Sequence, residues 1–212
     1  MNRRELLKMI AALTGGVVAG GEAFLTGCTN TEKTGAVFTQ KDIDFLNEVA
    51  ETILPATQTP GAKVANVGQF MTVIVNDCYD EGDQKIFHEG MKKLNDACDK
   101  MHGHSFMKAT AQQRHALLVS LDKEAKDYQK KRDDFNKNED KKEQDAKAGG
   151  DKNFKKQTMD PHYFTLMKQL TLWGYFTSKE GMTEALHFLP VPGRYEGCID
   201  YKKGDKVQVG LG

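Results

Sequence analysis

Histidine and cysteine are the side chains best suited to metal, redox or nucleophilic chemistry, and this 212-residue chain holds six of the first and four of the second. The histidines are His88, His102, His104, His115, His162 and His187. Only His102 and His104 lie close together. A His-Gly-His run where a helix ends reads more readily as a solvated turn than as a ligand pair. No H-E-x-x-H zinc motif is present. No C-x-x-C or C-x-x-C-H occurs, so neither a dithiol redox motif nor covalent haem is indicated. Ser105, His115 and Asp122 are the residue types of a hydrolytic triad, but nothing in their spacing supports one. Beyond its N-terminal segment the chain has no Gly-rich turn between strand and helix for a dinucleotide, and no phosphate loop. A stand-alone enzyme would have to draw on His162 or His102.

Cys78 and Cys98 fall on two successive helical patterns. Outside the cytoplasm they could pair; equally, each falls on the apolar face of its helix and suits a core. Cys198 would then be left over, either as a buried thiol or as a bridge to another chain. The densest aromatic region follows: Trp173, Tyr175, Phe176, Phe188, Tyr195 and Tyr201, among Pro190, Pro192, Gly193, Arg194 and Gly197. Aromatics on a glycine- and proline-shaped segment supply large contact area at small entropy cost. Trp173, Tyr175, Phe176, Phe188, Pro192, Arg194, Tyr195 and Tyr201 are therefore candidate partner-contact residues. The alternative is that they lay the C-terminal segment over the helices.

The N-terminus reads as an address, not as part of the fold. Arg3 and Arg4 are followed by apolar residues and Lys8, the n-region of a twin-arginine export signal. The stretch after it is Gly-rich, and Glu22 interrupts it short of the ~20 apolar residues a membrane span needs. Leu25-Thr26-Gly27-Cys28 resembles a lipobox, in which the Cys28 thiol accepts lipid. The expectation is a cleavable signal over 1–27, a polar tether over 28–38, and one domain over 39–212 on the periplasmic side of a membrane, held by acyl chains on Cys28.

Lys and Arg number 30, as do Asp and Glu, so a neutral chain gives no electrostatic claim on nucleic acid. Thr39 with Asp42 forms a capping box before an apolar face at Ile43, Leu46, Val49, Ala50, Ile53 and Leu54, and Pro55 stops that helix. A second helix shows Val67, Phe70, Met71, Ile74, Val75 and Cys78. Asp80 to Asp83 reads as a break. A third carries Phe87, Met91, Leu94, Cys98 and Met101 and ends at His102-Gly103-His104. Thr110 with Gln113 opens a fourth. From 130 to 156 the chain becomes almost wholly charged or amide-bearing, either the solvated continuation of that helix or a loop broken at Gly149-Gly150. Asp160-Pro161 restarts a helix, as N-cap and first residue. A short helix over 183–188 and an irregular tail, with a faint strand pattern at Lys206 to Val209, complete an all-α reading: a bundle of about five helices with a long irregular C-terminal segment.

Ile53-Leu54-Pro55-Ala56 with Thr59-Pro60-Gly61-Ala62, and Leu170-Thr171 through Gly174-Tyr175-Phe176-Thr177-Ser178, Gly181 and Pro190 to Tyr195, in that order behind Arg3-Arg4, resemble the gluconate 2-dehydrogenase subunit 3 family. The lipobox and the charged insertion depart from its simplest pattern. The resemblance implies a non-catalytic small subunit that binds no cofactor itself. It implies a large partner of the glucose-methanol-choline oxidoreductase type that holds FAD and oxidises a sugar or sugar acid. A cytochrome c or another acceptor takes the electrons. The small subunit carries the export signal and assists maturation. The alternative is a stand-alone periplasmic lipoprotein, either a sugar-binding or interaction module or a sugar-active enzyme.

Overall fold

The computed structural model describes residues 37–151, 154–191, 193, 198, 200 and 202–210. Arg3, Arg4, Cys28, Pro192, Arg194, Tyr195 and Tyr201 lie outside the described residues. Five α-helices are found among them: α1 Gln40–Ile53, α2 Val67–Cys78, α3 Glu81–His102, α4 Ala111–Ala148 and α5 Tyr163–Phe176. The described part is mostly helical with almost no strand, in keeping with the apolar spacing.

The caps explain most of the boundaries. Thr39 donates its backbone N–H to the Asp42 carboxylate at 2.8 Å, and the Asp42 N–H returns to the Thr39 hydroxyl, which satisfies donors the first turn of α1 would otherwise leave free. Thr110 and Gln113 do the same for α4. Gly103, at φ 76°, ends α3 in the left-handed region. Two boundaries differ from expectation. Asp80 is not a break but the N-cap of α3, accepting the Asp83 N–H at 2.8 Å, so Gly82 and Asp83 lie in its first turn. His162, not Asp160, caps α5, and Pro161 lies before the helix. The reason is local: Tyr128 donates its hydroxyl to the Asp160 carbonyl at 3.0 Å, and Arg132 donates to the Met159 carbonyl at 2.7 Å, which holds that stretch extended along α4.

Leu46, Val49, Val67, Met71, Phe87, Leu94, Leu117, Phe164 and Met167 fill one core shared by all five helices. At Gly68 two helix backbones meet closely: an added Cβ would lie 2.6 Å from the Ile43 carbonyl oxygen. The Gly68 N–H donates to the buried Asn47 side chain at 2.8 Å, so α2 begins with its backbone pressed on α1. Arg114 joins three elements. It pairs with Glu48 of α1, donates to the Phe106 and Met107 carbonyls at 3.0 and 2.9 Å, and covers the Phe106 ring. Burial alone would raise the Glu48 pKa, but Lys63 and Arg114 outweigh it and hold the carboxyl below its usual value.

The charged stretch continues α4. At 38 residues α4 is about 57 Å long, against about 21 Å for α1 or α5 at 14 residues each. Its buried apolar residues end at Ala125, and Glu139 is the one buried residue beyond it. Glu139 accepts the Gln157 N–H at 3.0 Å and the Lys142 ammonium at 2.7 Å, and Lys156 pairs with Asp140. Polar clasps thus lay the returning chain along the outer half of α4 in place of an apolar seam.

Cys78 and Cys98 are free thiols, so the pairing considered from sequence is not formed. Cys78 ends α2 at the turn into α3, while Cys98 stands 17 residues beyond Glu81, about 26 Å along that helix; a disulfide needs Cα atoms within about 7 Å. The short helix expected over 183–188 is a single wide turn, Gly181–Ala185. It is followed by His187–Phe188, which pairs in parallel with Gln208–Val209, where the faint strand pattern stood.

Candidate functional site

The histidines are separated. The His102 and His104 rings lie 6.2 Å apart and nearly parallel, and among the described residues no group of three or more His, Cys, Asp or Glu is placed to hold a metal ion. His115 is exposed on α4, two turns from Asp122, which is itself paired with Lys126 and Lys168. Ser105 and these two therefore form no triad.

His162 is buried and structural. Its Nδ1 accepts the Phe164 N–H at 3.3 Å, its ring stacks on Tyr163, and its Nε2 lies 3.7 Å from Glu124. Burial holds the imidazole below its usual pKa, and Lys93 adds to this; Glu124 opposes it without prevailing. The same burial, with the Glu124 charge, pushes the Tyr163 hydroxyl up to about 12. The unfolded chain therefore takes up the His162 proton first. Stability is full above about pH 6.5 and declines as pH falls from there toward the folded-state value. His162→Asn keeps an N-cap acceptor and removes the titration. Thermal melts between pH 5 and 8 are expected to show a shallower acid decline for this variant, and an unchanged slope would refute the assignment.

The aromatic segment divides. Tyr175 is in the core and donates its hydroxyl to the Pro60 carbonyl at 2.6 Å, so its expected role in partner contact is corrected to a structural one. That bond fixes the middle of the loop after α1, whose two flanks Glu51 holds by accepting the Ala56 and Lys63 N–H groups, each at 2.9 Å. Phe188 is half-buried in the two-residue strand. Trp173 and Phe176 are exposed.

Trp173 packs edge to face on Phe70 of α2, with ring centroids 5.4 Å apart. The approach depends on Gly174, where a Cβ would lie 2.6 Å from the Phe70 ring. Leu172 borders a cleft of about 240 Å³ between α4 and α5 that also exposes Lys126, Gln129 and Lys168. Val73 of α2 is exposed as well. Sequence reasoning missed Val73, which lies off the apolar stripe of α2. Its signal was the charge pattern: residues 64–76 and 169–178 contain no charged side chain in a chain that is 28% charged. A second cleft, of about 310 Å³, is lined by Phe45, Met91 and Met107 together with Lys41, Lys92 and Asp96.

The short motifs of the sequence thus have physical roles. Pro60 and Tyr175 lock the α1–α2 loop to α5, Gly174 admits Phe70, and Gly181 lies against the Tyr175 carbonyl, where a Cβ would come within 1.9 Å. No curated protein and no solved structure gives a match to the chain. The family model described as gluconate 2-dehydrogenase subunit 3 matches residues 40–193, a span that starts at the first residue of α1 and ends beyond the short strand after α5. With well over half its length matched, the chain belongs to the gluconate 2-dehydrogenase subunit 3 family.

Proposed function

We propose that this chain is the non-catalytic small subunit of a periplasmic, FAD-dependent sugar or sugar-acid dehydrogenase of the glucose-methanol-choline type. It supplies twin-arginine export through Arg3 and Arg4, membrane anchoring through lipid on Cys28, and maturation of the flavoprotein. The carrying observation is the family match across the whole helical bundle, since the family is one of dehydrogenase subunits. The distribution of polar side chains supports the same reading. Among the described residues the buried histidine caps a helix and the most buried carboxylate, Glu139, holds the chain that returns along α4, so both are engaged in holding the fold. The twin-arginine route suits such a subunit because it carries folded proteins, and a flavoprotein folded around its cofactor can cross with its partner. Electrons would pass from the flavin to a cytochrome c or another acceptor, with this chain taking no part in the transfer. Purifying the full chain from membranes and asking whether a flavin-bearing dehydrogenase accompanies it tests the reading.

A further inference from the structure

We infer that the uncharged face made by Leu172, Trp173 and Phe176 of α5 with Val73 of α2 is the surface that docks the catalytic subunit; this rests on the subunit reading above. Trp173 is 51% exposed, Phe176 38%, Leu172 37% and Val73 45%. Interface cores are depleted in charge and enriched in aromatic side chains, and such residues carry most of the binding energy. Here the depletion is built into two neighbouring helices at once, while the exposed side of α4 mixes lysine with acidic residues.

The face is also held in place before binding. Gly174 seats Phe70 under Trp173, and Tyr175, between the two exposed aromatics, is tied to Pro60. Ordering costs on association are correspondingly small.

Area and charge decide the occupant. With roughly 150–250 Å² per aromatic side chain, the exposed fractions of these four residues amount to on the order of 300 Å². A second copy meeting the same face would bury well under the roughly 800 Å² per partner of a standard interface. Widening that contact brings in the ionic rim of Asp122, Lys126 and Lys168. Interfacial membrane helices flank their apolar face with several basic residues. α5 has one, Lys168, and it is paired with Asp122. A larger protein that accepts two aromatics on an uncharged patch and extends past it meets both constraints.

The test compares tagged full-length chains in the native host: wild type, Trp173→Ser/Phe176→Ser, Phe176→Asp, and Met101→Ser as an exposed apolar control on α3. Recovered dehydrogenase is quantified by flavin absorbance and sugar-dependent dye reduction, and circular dichroism verifies each fold. Wild type and the control should retain the flavoprotein, and both face variants should lose it at least tenfold. Equal recovery with folded face variants overturns the docking surface and leaves the subunit reading standing. Absence of any flavoprotein with the wild type overturns both. A wild-type dimer that the face variants convert to a monomer, with flavoprotein recovery unchanged, assigns the face to self-association and also overturns the proposal.

Discussion

Gly68→Ala is expected to lower the stability of the folded chain by about 3 kcal/mol, near the upper end for a side chain forced into a packed interior. The added Cβ would lie 2.6 Å from the Ile43 carbonyl oxygen and 2.8 Å from both the backbone nitrogen and the Cγ of Asn47. Two of those three atoms are helix backbone and cannot swing aside, so α1 and α2 must separate. Separation also stretches the 2.8 Å bond from the Gly68 N–H to Asn47, which is buried, and a buried donor left without its acceptor costs a further part of the same total. For a domain of this size the loss corresponds to a fall in Tm of roughly 6–12 °C. Gly149→Ala is the matched control, because its Cβ would meet only ordinary contacts at 3.4 and 3.6 Å. Equal melting temperatures for the two variants would contradict the packing described for α1 and α2.

Arg3→Lys/Arg4→Lys has the largest effect expected on function, because the arginine pair is the feature by which a twin-arginine signal is read. The charge is kept, so membrane attraction and solubility stay the same while the guanidinium pair is lost. If this chain carries the export address for a folded complex, the flavoprotein should remain in the cytoplasm together with the unprocessed small chain. Fractionation followed by dehydrogenase assay reads this directly. Flavoprotein found in the periplasmic fraction at its normal level would refute the export role, whatever happens to the small chain.

The helices were legible where apolar spacing and capping chemistry agreed. Thr39 with Asp42, Thr110 with Gln113, Pro55 and Gly103 mark ends that the structure keeps. Legibility failed where a partner distant in sequence decides. Asp160-Pro161 is a good local start for a helix, but Tyr128 and Arg132 draw that stretch onto α4 and His162 takes the cap. The outer half of α4 has no apolar period to read, because Glu139, Asp140 and Lys156 hold it by clasps whose partners lie 16 to 18 residues away. In the candidate site, Trp173 and Phe176 could be picked out as large aromatics. That Tyr175 between them faces inward could not, since helical spacing alone does not reveal the bond to Pro60, 115 residues earlier. Val73 shows the converse case: its exposure follows from lying off the stripe, and its meaning comes only from the uncharged neighbours α5 brings to it.

Central to this account is that the chain works as part of a flavoprotein complex. The most direct test is to extract the full-length protein from membranes through a C-terminal tag and record the absorption spectrum of what is eluted. The expected result is a large co-purifying chain with flavin bands at about 450 nm that bleach when the sugar or sugar-acid substrate is added. A colourless chain eluting alone, from cells in which the dehydrogenase is expressed, would contradict it.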